Sequence, residues 1–106
     1  MMPTTTIADR EVHIDDEGFL TEYDEWDEDL AKTLASAIGI DELTDEHWKV
    51  INFLRSDYQE KGETATLRRV STVGEVPTKD LFQLFPKKPA RKMAYVAGLP
   101  KPAGCI

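Results

Sequence analysis

One cysteine and two histidines stand among 106 residues. A single thiol cannot close a disulfide within the chain, and with two imidazoles it cannot complete a Cys/His zinc site from the chain's own side chains. No apolar run approaches the roughly 18 residues that would span a bilayer. The opening Met-Met-Pro-Thr-Thr-Thr-Ile-Ala-Asp-Arg has neither the basic nor the apolar region of a secretory signal, so a soluble, cytoplasmic protein is expected. Missing too are a phosphate-cradling glycine loop, a paired-carboxylate constellation and a nucleophile elbow, which argues against an independent enzyme. Asp15-Asp16-Glu17-Gly18 has the look of a calcium loop, but Gly18 at its sixth position would make His13 the first ligand and Asp24 the twelfth. No metal is expected.

What is present suffices for one modest core: hydrophobic residues make up 41% of the chain, and a domain of this size buries about two thirds of the surface its unfolded form exposes. The net charge of −7 is unevenly spread, since residues 1–63 carry 18 acids against 5 bases and residues 64–106 carry 2 acids against 8 bases. An acidic N-terminal part is therefore joined to a basic C-terminal one.

Residues 1–9 have the small polar composition of a frayed, disordered terminus. Val12 and Ile14 alternate with polar residues, and Asp15-Asp16-Glu17-Gly18 supplies a turn before Phe19 and Leu20, which predicts a short β-hairpin lying on helices. Trp26, Leu30, Leu34 and Ile38 recur every four residues ahead of Gly39, predicting an amphipathic helix with an acidic first turn. Thr44 caps a longer helix bearing Trp48, Ile51, Leu54 and Tyr58, widened by Val50 and Phe53. Leu67 and Val70 suggest a short helix with Arg68 and Arg69, followed by a loop at Gly74 and Pro77. Thr78 can cap a helix containing Leu81, Phe82, Leu84 and Phe85, ended by Pro86. Ala90, Met93, Ala94 and Ala97 form a small-residue stripe on a last helix closed by Gly98. Residues 99–106, with two prolines and a glycine, read as a mobile arm. The fold class expected is mainly α, a small orthogonal helical bundle with an N-terminal β-hairpin and a flexible C-terminal arm, in one domain over 1–106.

Cys105 is the candidate catalytic residue. A thiol near the end of an eight-residue extended arm could be carried about 25 Å from the helix. Lys101 favours its thiolate and the neighbouring carboxylate of Ile106 opposes it, so the chain gives no reason for strong activation on its own. The position suits a cysteine that is handed sulfur by one partner, holds it covalently as a persulfide without a further cofactor, and presents it to another.

Asp16-Glu17-Gly18-Phe19-Leu20, Gly39-Ile40, Leu43-Thr44, His47 through Arg55, Leu84-Phe85-Pro86, Pro89-Ala90 and the tail Ala97-Gly98-Leu99-Pro100-Lys101-Pro102 with Cys105 occur in order. In this the chain closely resembles the DsrC/TusE family, across about residues 11–106. The resemblance implies the helical domain with hairpin and arm, and a sulfur carrier working either with dissimilatory sulfite reductase and heterodisulfide-reductase-like complexes or in the relay that supplies sulfur for tRNA 2-thiouridine. Two-cysteine members carry a second cysteine eleven positions before the penultimate one; here that position is Ala94. Disulfide chemistry of the two-cysteine type is thus excluded, and a TusE-like, single-cysteine, sulfurtransferase-type carrier is implied. The segment before Thr78 is shorter than the TusE-like pattern, which leaves open a paralogue in dissimilatory sulfur metabolism.

Arg68, Arg69, Lys87, Lys88, Arg91, Lys92 and Lys101 could form one basic surface. Lys87, Lys88, Arg91, Lys92 and Lys101 are the candidates for docking protein partners. The alternative reading is a DNA-binding or protein-binding regulatory module of sulfur metabolism using that surface, although the acidic half should weaken any hold on phosphates. His47, beside Trp48, is expected to be structural, and His13 to face solvent.

Overall fold

Three of the helices begin where an oxygen-bearing side chain precedes an apolar stripe. In the computed structural model, which describes residues 4–7, 10–15 and 17–100, the Asp27 carboxylate accepts from the Leu30 N–H at 2.8 Å and opens helix α1 (Glu28–Ala37). Leu30, Ala31, Leu34 and Ala35 form its buried face. Gly39, at φ 87°, then donates to the Ser36 carbonyl and Ile40 to the Ala35 carbonyl, a Schellman closure. Trp26 precedes this helix rather than belonging to it, which releases its indole for another contact.

Helix α2 (Asp45–Lys61) starts at the expected Thr44, with His47 in the place that Glu or Gln usually takes in a capping box. The Thr44 N–H donates to His47 Nδ1 at 3.1 Å, and Nε2 lies 2.9 Å from the Leu84 carbonyl. The neutral Nε2–H tautomer satisfies both bonds. With Phe85 edge-on at 5.2 Å, His47 has the structural role its position suggests: it joins the start of α2 to the end of α4.

Two short helices follow, α3 (Leu67–Thr72), capped by Thr66, and α4 (Thr78–Leu84). Thr78 is the first residue of α4 and makes no side-chain cap; Pro77 occupies the cap position. The last helix, α5 (Pro89–Val96), buries Met93, Ala94 and Val96 from the small-residue stripe and its flank. The main core joins Val50, Ile51 and Leu54 of α2 to Val70, Val76, Leu81, Phe85, Met93, Val96, Ala97 and Leu99. Each fully buried Leu, Ile or Phe there contributes about 1.5–3 kcal/mol relative to exposure.

The N-terminal part corrects the sequence reading. Thr4–Ile7, expected to be frayed, forms strand β1, antiparallel to β2 (Arg10–His13) with Thr5 opposite Val12. Three consecutive threonines look like polar filler in composition, yet β-branching suits them to a strand once a partner is beside them. The expected turn at Asp15–Gly18 also exists, closed by an Ile14–Leu20 bridge and by the Asp15 N–H donating to the Phe19 carbonyl. Val12 and Leu20 pack with Leu30 and Leu34, so the hairpin does lie on a helix, α1.

Candidate functional site

The chain leaves α5 through a closely held junction. A helix end leaves its last carbonyls without intrahelical partners, and here each one finds a donor. Leu99 N–H donates to the Ala94 carbonyl and Gly98 N–H to that of Tyr95, a second Schellman closure with Gly98 at φ 71°. The Val96 carbonyl accepts from Trp26 Nε1 at 2.8 Å and the Ala97 carbonyl from Arg55 Nη1 at 2.8 Å. Leu99 is fully buried, and the Pro100 carbonyl accepts from Thr64 Oγ1 at 2.7 Å.

Arg55 organises this junction. Its Nη2 donates to the Tyr23 carbonyl at 3.0 Å, and its guanidinium lies 3.9 Å from the Tyr23 ring centroid and 4.1 Å from that of Trp26. Tyr23 stacks in turn on Tyr58, at 5.6 Å. Burial lowers the Arg55 pKa from its ordinary value, but a guanidinium stays charged, and a cation suits the negative end of the α5 dipole.

Of the expected arm of residues 99–106, the first two residues, Leu99 and Pro100, are held by the domain, and the rest, with the candidate site residues Lys101 and Cys105, lies outside the described residues. Chain length bounds the reach: five residue steps from Pro100 to Cys105 span at most about 18 Å, less than the ~25 Å expected from the helix end.

The basic candidates do not form one uniform surface. Arg69 holds the buried Asp57 carboxylate through two bonds, Nε at 2.9 Å and Nη2 at 2.7 Å. This pairing raises the Arg69 pKa further. Arg91 pairs with Glu17 of the hairpin turn at 3.1 Å, and Lys92 donates to the Pro86 carbonyl. Arg68, Lys87 and Lys88 are exposed. Lys87 and Lys88 stand at φ 60° and 52°, two successive left-handed residues at the start of α5. They sit across eight helical residues, about 12 Å of axis, from the junction at Leu99.

His13 is not simply solvent-facing. Both Glu25 oxygens bind it, Oε1 accepting the backbone N–H and Oε2 meeting Nδ1, each at 2.8 Å. The ring bond raises the His13 pKa above 6.5, and the backbone bond from His13 is the main cause lowering that of Glu25 below 4.5. Among the described residues no three His, Cys, Asp or Glu side chains converge as a metal site would need, and no helix is long and apolar enough to cross a membrane.

Sequence reasoning placed Trp26 in the α1 periodicity and Arg55 at the end of a motif without giving either a role at this junction, and it did not single out Thr64. For Arg55 a signal exists: it falls four residues after Ile51 and three before Tyr58, a charge on the flank of an apolar stripe.

A family model described as "DsrC like protein" matches residues 6–106. The gamma subunit of dissimilatory-type sulfite reductase from Nitratidesulfovibrio vulgaris Hildenborough is 30% identical over 105 residues, covering 99% of this chain and 100% of that one. Sulfurtransferase TusE of Escherichia coli K12 is 38% identical over 104 residues, 92% of this chain and 94% of its own. Among solved structures, the crystal structure of dissimilatory sulfite reductase I (DsrI) superposes with a TM-score of 0.84 at 31% identity, over 98% of this chain and 100% of that one. The solution structure of Allochromatium vinosum DsrC gives a TM-score of 0.78 at 34% identity, over the whole of both chains.

Proposed function

Because the chain belongs to the DsrC-like family, we propose that it is a sulfur carrier whose Cys105 takes sulfane sulfur from one protein partner and passes it to another. The names of its relatives support a protein associated with a sulfur relay or a sulfite reductase. The observation that carries the finer reading is the junction at the end of α5. Every carbonyl from Ala94 to Ala97 is bonded, Leu99 is buried and Pro100 is tied to Thr64, so the domain holds the chain up to five residues before its one cysteine.

In the loading step the Cys105 thiolate attacks the outer sulfur of a donor's cysteine persulfide. A bond forms between Cys105 Sγ and that sulfur, the donor's S–S bond breaks, and the donor cysteine leaves as a thiolate; no oxidant is consumed. Unloading is the same exchange with an acceptor cysteine as nucleophile. The carrier thus acts with partner enzymes, needs no cofactor beyond the sulfur it holds, and works in a reducing compartment such as the cytoplasm. Ala94, fully buried on α5, offers no second thiol to expel the sulfur by an internal disulfide. A single-thiol carrier suits a TusE-like relay toward tRNA 2-thiolation better than chemistry that ends in an internal disulfide. For the alternative of a DNA-binding module, the pairing of Arg69 with Asp57 and of Arg91 with Glu17 takes two cations out of the surface it needs.

Incubation with a persulfide-loaded cysteine desulfurase or sulfurtransferase should add one sulfur atom to the intact mass, removable by a reductant, and Cys105→Ser should abolish the gain. A wild-type protein that stays unloaded by such donors would overturn the reading.

A further inference from the structure

Three features locate the point where the chain leaves the domain. Leu99 is fully buried, which fixes its position. The pyrrolidine ring of Pro100 restricts φ to about −65°, so only ψ remains to set the direction of the next residue. That angle turns the Pro100 carbonyl, and the carbonyl is held by Thr64 Oγ1 at 2.7 Å. Thr64 is itself 5% exposed, in the loop between α2 and α3, and its hydroxyl has this oxygen as its acceptor. From these relations we infer that Thr64 is a positioning residue: through Pro100 it aims the segment that carries Cys105.

The inference deepens the sulfur-carrier reading and, for its effect on transfer, rests on it. A tethered group's effective concentration at a target depends on the length of the tether and on the geometry of its origin. With Thr64 engaged, the Pro100 carbonyl is held, and with it the direction of the bond into the next residue. Without that bond, ψ of Pro100 is no longer held, and Cys105 should sample a wider set of positions at the same contour length. The docking candidates Lys87 and Lys88, at the far end of α5, are untouched by the change, so the loss should fall mainly on the transfer step rather than on affinity.

The single native cysteine makes the test direct. A nitroxide on Cys105 broadens the backbone amide resonances of whatever surface it visits. In the wild type, broadening should concentrate on one region; in Thr64→Val, nearly isosteric but lacking the hydroxyl, the pattern should spread or move, while Thr64→Ser should retain it. Coincident patterns in wild type and Thr64→Val, with both folded by their amide spectra, would overturn the inference. In sulfur transfer from the loaded carrier to its acceptor, Thr64→Val should lower kcat by about threefold to tenfold with a smaller change in KM, and Thr64→Ser should restore kcat. A shifted broadening pattern with unchanged kcat would overturn the role in transfer. A wild type that accepts no sulfur, combined with a shifted pattern, would remove the carrier reading and leave the aiming of the segment standing.

Discussion

The Trp26 indole fills the space that a side chain on residue 98 would need. A Cβ added to Gly98 would lie 2.7 Å from Trp26 Cγ and 2.8 Å from its Cβ, and Gly98 also stands at φ 71°. The same indole donates to the Val96 carbonyl, so one side chain both covers the glycine and closes the helix end. Gly98→Ala should therefore cost about 2–4 kcal/mol, from left-handed backbone strain together with overpacking. Chemical denaturation measures it. A cost below about 1 kcal/mol would show that the indole moves aside easily and that the junction is not fixed as described.

That pair also shows what a sequence can and cannot disclose. Gly98 and Gly39 are legible as helix terminators because the left-handed closure is a local need that favours glycine, and both close Schellman turns. Thr44, the α2 stripe and the helical class are local in the same sense. Trp26 reads as the first turn of the α1 pattern because it lies four residues before Leu30, whereas its partner, Val96, is 70 residues away. Thr64 to Pro100 and Arg55 to Ala97 are likewise long-range hydrogen bonds, which no periodicity encodes. Cys105 stands out in the sequence by its position and lies outside the described residues.

His47 serves two ends at once, accepting from the Thr44 N–H and donating to the Leu84 carbonyl. Replacing it by Phe keeps an aromatic ring beside Phe85 and removes both bonds. The expected loss is about 1–3 kcal/mol, made up of a helix cap and a part-buried carbonyl without a partner. Thermal unfolding of His47→Phe and Thr44→Ala, with the double variant, should show strong non-additivity, because both changes break the same capping box. Additive losses would contradict the shared cap.

The His13–Glu25 link should respond to pH on both sides. The His13 pKa is raised, so its contribution is fully present below 6.5 and is lost as pH rises through the folded value. The Glu25 pKa is lowered, so its contribution is present above 4.5 and is lost as pH falls through its folded value. Both are in place together between about pH 4.5 and 6.5. In an NMR titration the His13 ring should change above 6.5 in the wild type and return toward 6.5 in Glu25→Gln. A His13 midpoint at or below 6.5 in the wild type would refute the link.

Lys87 and Lys88 allow conformation to be separated from charge. Both are exposed at positive φ, where an L side chain is strained by about 1 kcal/mol, and glycine at the same angles is not. Lys87→Gly and Lys88→Gly should each be neutral to stabilising by up to about 1 kcal/mol in denaturation experiments. Gln at the same positions keeps the strain and removes the charge. If these lysines dock the protein that loads Cys105, both the Gly and the Gln variants should associate with it more slowly at low ionic strength, and added salt should bring the wild type down to their rate. Equal, salt-independent association of all variants would show that the pair serves no docking role. A Gly variant that is clearly less stable than the wild type would show that the loop takes its shape from lysine contacts rather than against lysine's own preference.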